Sequence, residues 1–429
     1  MKEKEFYSLV ELRDEWAFAH LGRAETNEVT HSYHKYPAKF IPQLARALIK
    51  GYTHKGDVVW DPFCGSGTLN LEAFRTFRHS IGTDVNPVAV LISRAKTNPL
   101  EPEELGFYNQ TIIEALRNSV IQSESFYISR GTLNGNIQML KKWFPNESLI
   151  ELGHILWQIE ENTSKKKYRE FALCAFSAIL KRSSYWLNSS VKSQIDPDKK
   201  PKQPLFYFEK QLKRMEKTNK LFYEEAKNNK TQVHIFKHNA KHRLPSGIQK
   251  IDCIITSPPY VVSYDYSDIF RLSTYFLFYQ PGYAQFRQTF IGTTLRRKNQ
   301  RRFSLPNACH SVINSINDTA VQRNLNEYYK DMGEYFKNMR NHLAKSGRLI
   351  MVVGDTELRN VKIPNAYLQS KIATETGWHL EKAYARDIPV KILPTYRDII
   401  TGKFTNKESP MHSERYNREY VLIFQGKTK

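Results

Sequence analysis

The chain is poor in cysteine, with four in 429 residues. Cys64, Cys174, Cys253 and Cys309 form no CxxC pair and no other metal-ligand spacing, so neither a metal centre nor a disulfide framework is expected; they read as reduced, intracellular thiols. The 13 histidines show no metal spacing either, and His31 and His34 read as surface or capping residues. No apolar run reaches the length of a membrane span. The opening MKEKEFYSLVELRDEW lacks the apolar core of an export signal, so a soluble, cytoplasmic protein is expected. The full GxGxxG fingerprint is missing, which speaks against a dinucleotide whose pyrophosphate sits on a helix N-terminus. There is no internal repeat or low-complexity tract. Acidic residues are scarce beside basic ones, 43 against 64, a formal charge of +21.

What is present describes a packed globular protein. The chain is 40% hydrophobic and 13% aromatic, and long enough for one large decorated domain or two ordinary ones. The basic excess is clustered. Residues 181–217 hold ten Lys/Arg against four Asp/Glu, and LRRKNQRR (295–302) holds five basic residues and no acid. Interleaved with Tyr185, Trp186, Phe206 and Tyr207, this pattern favours a nucleic-acid face.

Strand and helix patterns alternate in two stretches separated by a helical one. GDVVWDPFCGSGTLNLEAF (56–74) runs from an apolar strand through a glycine loop into a helix, and SIGTDVNPVAVLISRA (80–95) repeats that order. Helical stretches follow at 101–120, 135–162, 165–182 and 205–228, broken by a polar loop at 189–204. Strands return at 231–239 and 250–260, then a helix at 267–279 and a basic loop at 281–324. The remainder reads helix (325–345), strand (347–355), helix (365–376), strand (378–386), strand (418–426). The alternation predicts a parallel sheet covered on both faces. With no helix between the final two strands, one of them is expected to be antiparallel. Residues 98–230 read as a helical insertion.

Chemistry concentrates at strand ends. In DPFCGSGT (61–68), Gly65 and Gly67 permit a tight turn and close backbone approach to a ligand. Asp84 follows the loop at the distance that suits hydrogen bonds to a ribose diol. In IITSPPY (254–260), Pro258 and Pro259 cannot donate backbone hydrogen bonds and must end the strand, leaving Tyr260 just past its carboxyl end.

DPFCGSGT, GTDVNP and TSPPY together resemble the S-adenosylmethionine-dependent amino methyltransferases of DNA, and HSYHKYPAKFIPQLARALI (31–49) resembles the segment that closes over the cofactor's methionine end in that family. The resemblance covers most of 31–97 and 231–424. It implies an α/β fold: a Rossmann-like class I methyltransferase sheet of seven strands, the last antiparallel, with a helical insertion. The catalytic core would be 1–97 and 231–429, and 98–230 the candidate target-recognition region. By position, Asp61, Phe63, Gly65 and Gly67 would surround the methionine part of S-adenosylmethionine. Asp84 would bind the ribose, Asn239 would lie beside the adenine where relatives often carry Asp, and Lys39 and Phe40 would hold the carboxylate end. No metal is implied.

The resemblance further implies that Tyr260 stacks on a base flipped out of duplex DNA, while Ser257 and the Pro258 carbonyl accept the N–H groups of its exocyclic amine. The methyl would then be displaced directly, without a covalent enzyme intermediate. Ser257 at the head of SPPY resembles the cytosine-N4 branch; Asp or Asn there is more typical of adenine-N6 enzymes. Tyr264, Asp265, Tyr266 and Arg271 resemble the continuation of the motif, either lining the pocket or, for Asp265 and Arg271, forming an ion pair. Arg296, Arg297, Lys298, Arg301 and Arg302 are the candidate DNA-backbone contacts. A cognate restriction endonuclease is a conceivable partner. Competing readings are an adenine-N6 enzyme, an RNA base methyltransferase and a non-catalytic nucleic-acid-binding regulator.

Overall fold

The apolar runs read as strands assemble into one mixed sheet. The computed structural model describes residues 1–429 apart from 23, 134–136, 202, 249, 262–265, 279–285, 295–302, 389–395, 399–403, 406–411, 415–417 and 427–429. In chain order the sheet strands are β1 (Glu11–Leu12), β2 (Val58–Asp61), β3 (His79–Asp84), β4 (Val233–Lys237), β5 (Ile251–Thr256), β6 (Leu343–Gly354), β7 (Trp378–Asp387) and β8 (Arg418–Gly426). Their spatial order is β1-β7-β8-β6-β5-β2-β3-β4. Only β8 runs against its neighbours, antiparallel to both β6 and β7, as the missing helix before it predicts.

The sheet therefore has eight strands where seven are expected. The extra one is β1, whose Glu11 and Leu12 lie parallel to Tyr384 and Ala385 on β7. Two residues carry no alternation to read, which is why the periodicity misses it.

Successive strand residues feed opposite cores. Cys253, Ile255, Ile350, Val352 and Val421 pack on one face with Leu44 and Leu48 of the helix Pro42–Tyr52. Ile254, Leu349, Met351, Val353 and Leu422 pack on the other with Met332, Tyr335 and Met339 of the helix Thr319–Arg340. A strand buried on both sides needs no polar face, hence its continuous apolar sequence.

The helix before β6 starts earlier than expected, at Thr319, where the Asp318 side chain accepts the N–H groups of Ala320 and Val321, each at 3.0 Å. The stretch read as a basic loop over 281–324 also contains a helix, Asn307–Asn314, directly after Pro306. The described part of that stretch is thus partly helical. The burial of Cys309 and Ile313 outweighs the basic flank that suggests a loop.

Within 98–230 the principal helices are Pro102–Asn118, Asn146–Asn162, Lys166–Ile179 and Pro204–Ala226. Leu105, Ile112, Leu152, Phe171 and Leu212 from these helices share one core. That core also contains Val88 and Ile92 of the helix Pro87–Thr97, and Leu272 and Phe276 of the helix Arg271–Leu277. Trp143 and Trp186 belong to it, and Trp157 packs against it, as their default reading as packing residues predicts. The helical segment is therefore seated on the helix that follows β3 and on the one that follows SPPY. The sheet's strand order reverses between β2 and β5, the position where open α/β sheets bind ligands beyond their carboxyl ends.

Candidate active site

The glycine loop is shaped from below by side chains. Gly65 and Gly67 take φ of +49° and +68°, the left-handed region in which a Cβ is strained. A Cβ on Gly67 would also lie 2.9 Å from the Ser93 side chain, and one on Gly65 would lie 3.2 Å from the Tyr36 ring. Ser93 Oγ donates to the Gly65 carbonyl at 2.7 Å. Asp84 stands at the end of β3. Its Oδ2 accepts the Gly65 N–H at 3.0 Å and its Oδ1 the Asn86 N–H at 2.8 Å. Burial pushes the Asp84 carboxyl up to about 6, against the backbone N–H bonds that draw it down.

The two motifs are joined side chain to side chain. Thr256, the residue before Ser257, donates its hydroxyl to Asp61 Oδ1 at 2.7 Å, and the Phe63 N–H donates to the same oxygen at 3.1 Å. This bond sets SPPY beside DPFCGSGT at the strand-order reversal. Burial pushes the Asp61 carboxyl up to about 7.

Because the folded state then holds that proton more tightly than the unfolded chain, stability falls as pH rises from the ordinary carboxylate range through about 7. Asp61→Asn can keep both bonds on its carbonyl oxygen while removing the buried charge. In the ligand-free protein it should stabilise by roughly 2–4 kcal/mol at pH 8 and by little near pH 4. Thermal melts at the two pH values check this; equal shifts at both would contradict the buried-charge account.

The other cofactor candidates are placed less uniformly. Lys39 Nζ donates to Asn27 Oδ1 at 2.9 Å and to the Thr26 and His31 carbonyls at 3.4 Å, and burial pushes its amine down to about 8. It is engaged in holding the segment 26–31. Phe40 is half-buried and packs with Trp16, Phe18 and Ile41 against the Leu44–Leu48 core. Asn239 follows β4; its Oδ1 accepts the Lys241 N–H at 3.1 Å and its amide donates to the Thr289 carbonyl at 3.4 Å. Its neighbour His238 donates its N–H to the Asp84 carbonyl at 3.0 Å.

At SPPY, Pro258 is buried and Ser257, Pro259 and Tyr260 are half-buried. The Tyr260 hydroxyl donates to Glu419 Oε1 at 2.9 Å. Tyr264, Asp265, Arg296, Arg297, Lys298, Arg301 and Arg302 lie outside the described residues. Arg271 pairs with Asp268, whose other oxygen accepts the Ser193 hydroxyl at 2.9 Å. The polar loop 189–204 is thereby tied to the segment that follows SPPY.

Two residues depart from the sequence reading. His31 is fully buried, with Nε2 2.8 Å from Glu72 Oε1, and burial pushes its imidazole down to about 3. It is a neutral interior residue, not a surface one. Tyr36, within HSYHKYPAKF, carries no sign of its role in the sequence. It stacks on Tyr266 with ring centroids 5.7 Å apart and forms an aromatic wall against the loop at Gly65.

The strand order, the glycine loop and the carboxylates at adjacent strand ends define a Rossmann-like methyltransferase fold. The family model described as "DNA methylase" (N6_N4_Mtase) matches residues 2–95. The chain is 27% identical over 424 residues to the Type II methyltransferase M.MvaI of Kocuria varians, covering 92% of each. It is 24% identical over 333 residues to the Type II methyltransferase M.BsoBI of Geobacillus stearothermophilus, covering 70% of this chain and 63% of that one. Among solved structures, the rRNA methyltransferase aviRa from Streptomyces viridochromogenes aligns over 94% of this chain and 93% of its own, with a TM-score of 0.34 and 11% identity. The chain is thus similar to DNA methylases over residues 2–95 and to Type II methyltransferases over most of its length. No described helix is long and apolar enough to cross a membrane.

Proposed function

We propose that the protein methylates the N4 amino group of a cytosine flipped out of duplex DNA, at a specific site, as the modification enzyme of a restriction–modification system. The observation that carries this reading is the Thr256–Asp61 bond, which sets Ser257-Pro258-Pro259-Tyr260 beside the glycine loop. The Type II methyltransferase relatives support the modification role, and a cognate restriction endonuclease is the partner it implies.

S-adenosylmethionine fits the loop. With glycine at 65 and 67, the backbone has no side chain where a Cβ would meet Tyr36 and Ser93. Each Asp84 oxygen accepts one N–H and keeps a lone pair for a ribose hydroxyl. Asp61, Phe63, Gly65 and Gly67 would hold the methionine part, Lys39 and Phe40 its carboxylate end, and Asn239 the adenine. When bound, the cofactor supplies an electrophilic sulfonium methyl.

The protein's own work is to present the nucleophile. A ring-conjugated amine is a poor one. The Ser257 hydroxyl and the Pro258 carbonyl accept its N–H groups and draw lone-pair density onto nitrogen, while Tyr260 stacks on the ring and holds it in place. The basic residues at 296–302 would meet the phosphate backbone, and 98–230 would read the sequence, since a flipped base cannot report its neighbours.

Nucleoside mass spectrometry of duplex DNA treated with the enzyme and cofactor tests the assignment. N4-methylcytosine is expected. N6-methyladenine would overturn the cytosine reading, and transfer to tRNA alone would overturn the DNA reading.

A further inference from the structure

The ring of Tyr260 is held from behind by three strands at one level. Glu419 on β8 stands opposite Gly354 on β6 and opposite Arg386 on β7. Gly354 lies under the ring: a Cβ there would be 3.3 Å from Tyr260 Cε2. Glu419 Oε1 accepts the Tyr260 hydroxyl at 2.9 Å, and Oε2 accepts Arg386 Nε at 2.9 Å. Arg386 is 5% exposed, and its Nη1 donates to the Trp16 carbonyl at 2.8 Å. The row thus runs from the N-terminal segment beside β1, through two charged side chains, to the hydroxyl of the stacking residue.

We propose that Glu419 is a positioning residue for methyl transfer, fixing the face of Tyr260 against the flipped base with Gly354 as the floor and Arg386 as its own anchor. A phenol without that acceptor keeps its stacking surface but gains rotational freedom about the Cα–Cβ and Cβ–ring bonds. A charge-assisted bond restrains that motion before the base arrives, so the platform costs less to order when the complex forms. Arg386 keeps the Glu419 carboxylate aimed and is itself neutralised by it. The sequence offers no sign of the arrangement: Glu419 is 159 residues from Tyr260.

The proposal rests on the stacking role of Tyr260, and the test separates the two. Measurements are single-turnover methyl transfer to duplex DNA, cofactor affinity by calorimetry, and thermal melting. Tyr260→Phe keeps the ring and leaves the Glu419–Arg386 pair intact. It should lower the transfer rate roughly five- to tenfold with cofactor affinity unchanged. Glu419→Met should lower it by a similar factor, Glu419→Gln should recover most of the loss, and combining Tyr260→Phe with Glu419→Met should cost no more than either alone. Full activity of Tyr260→Phe, or additive losses in the double variant, overturns the positioning role. The Tyr260 hydroxyl also bonds the Ser257 side chain, so if Glu419→Met fails to fold because Arg386 is left unpaired, Glu419→Gln takes its place in the cycle, and combining it with Tyr260→Phe should cost no more than Tyr260→Phe alone. If Tyr260→Ala is as active as the native enzyme, the stacking reading itself falls.

Discussion

Tyr260→Ala is expected to lower methyl transfer to duplex DNA by roughly ten- to hundredfold, the loss of one base–aromatic stack worth about 1–3 kcal/mol. The cofactor site should survive intact. Asp61, Asp84 and the glycine loop hold one another through bonds in which Tyr260 takes no part. Cofactor affinity should therefore be unchanged while turnover collapses. A folded variant with normal turnover would show that no base rests on this ring. A variant that loses cofactor affinity in equal measure would show that the two parts of the site are not independent.

Asp84→Ala should produce the complementary pattern and the larger loss of binding. The carboxylate is a candidate acceptor for the ribose hydroxyls, and it already accepts the Gly65 and Asn86 N–H groups. Its removal takes away the ligand's bonds and also orphans two backbone donors, at about 1–3 kcal/mol for each unsatisfied group. Affinity for S-adenosylhomocysteine measured by calorimetry should fall by roughly a hundredfold or more. Asp84→Asn, which keeps one acceptor oxygen, should lie between. Undiminished affinity in a folded Asp84→Ala protein would move the cofactor elsewhere.

The features legible in the sequence are those whose cause is local. A left-handed glycine, a proline that ends a strand and a carboxylate one strand further on all act within a few residues of their own position. DPFCGSGT, Asp84 and SPPY can therefore be read directly. The inner strands are legible for the same reason, since burial on both faces writes an unbroken apolar run. Partners brought together by the fold leave no such trace. Thr256 reads as the end of a strand, and only the sheet places it 2.7 Å from Asp61. Glu419 reads as one charge at the start of an apolar strand, and His31 as one histidine among many until Glu72 closes over it. The helix Asn307–Asn314 has no side-chain cap to mark its start, and the neighbouring run of arginines points to a loop.

The antiparallel strand β8 has a consequence for how the protein is made. It does not cap an edge; it lies between β6 and β7 and pairs with both along most of its length. Until residues 418–426 emerge from the ribosome, β6 and β7 each lack the strand that lies between them. That half of the sheet therefore closes only once 418–426 is present, and the contacts that close it join segments well separated in sequence, which slows folding. During that interval the two edges are templates for pairing with another chain. Loss of β8 would leave both edges open and favour assembly between chains.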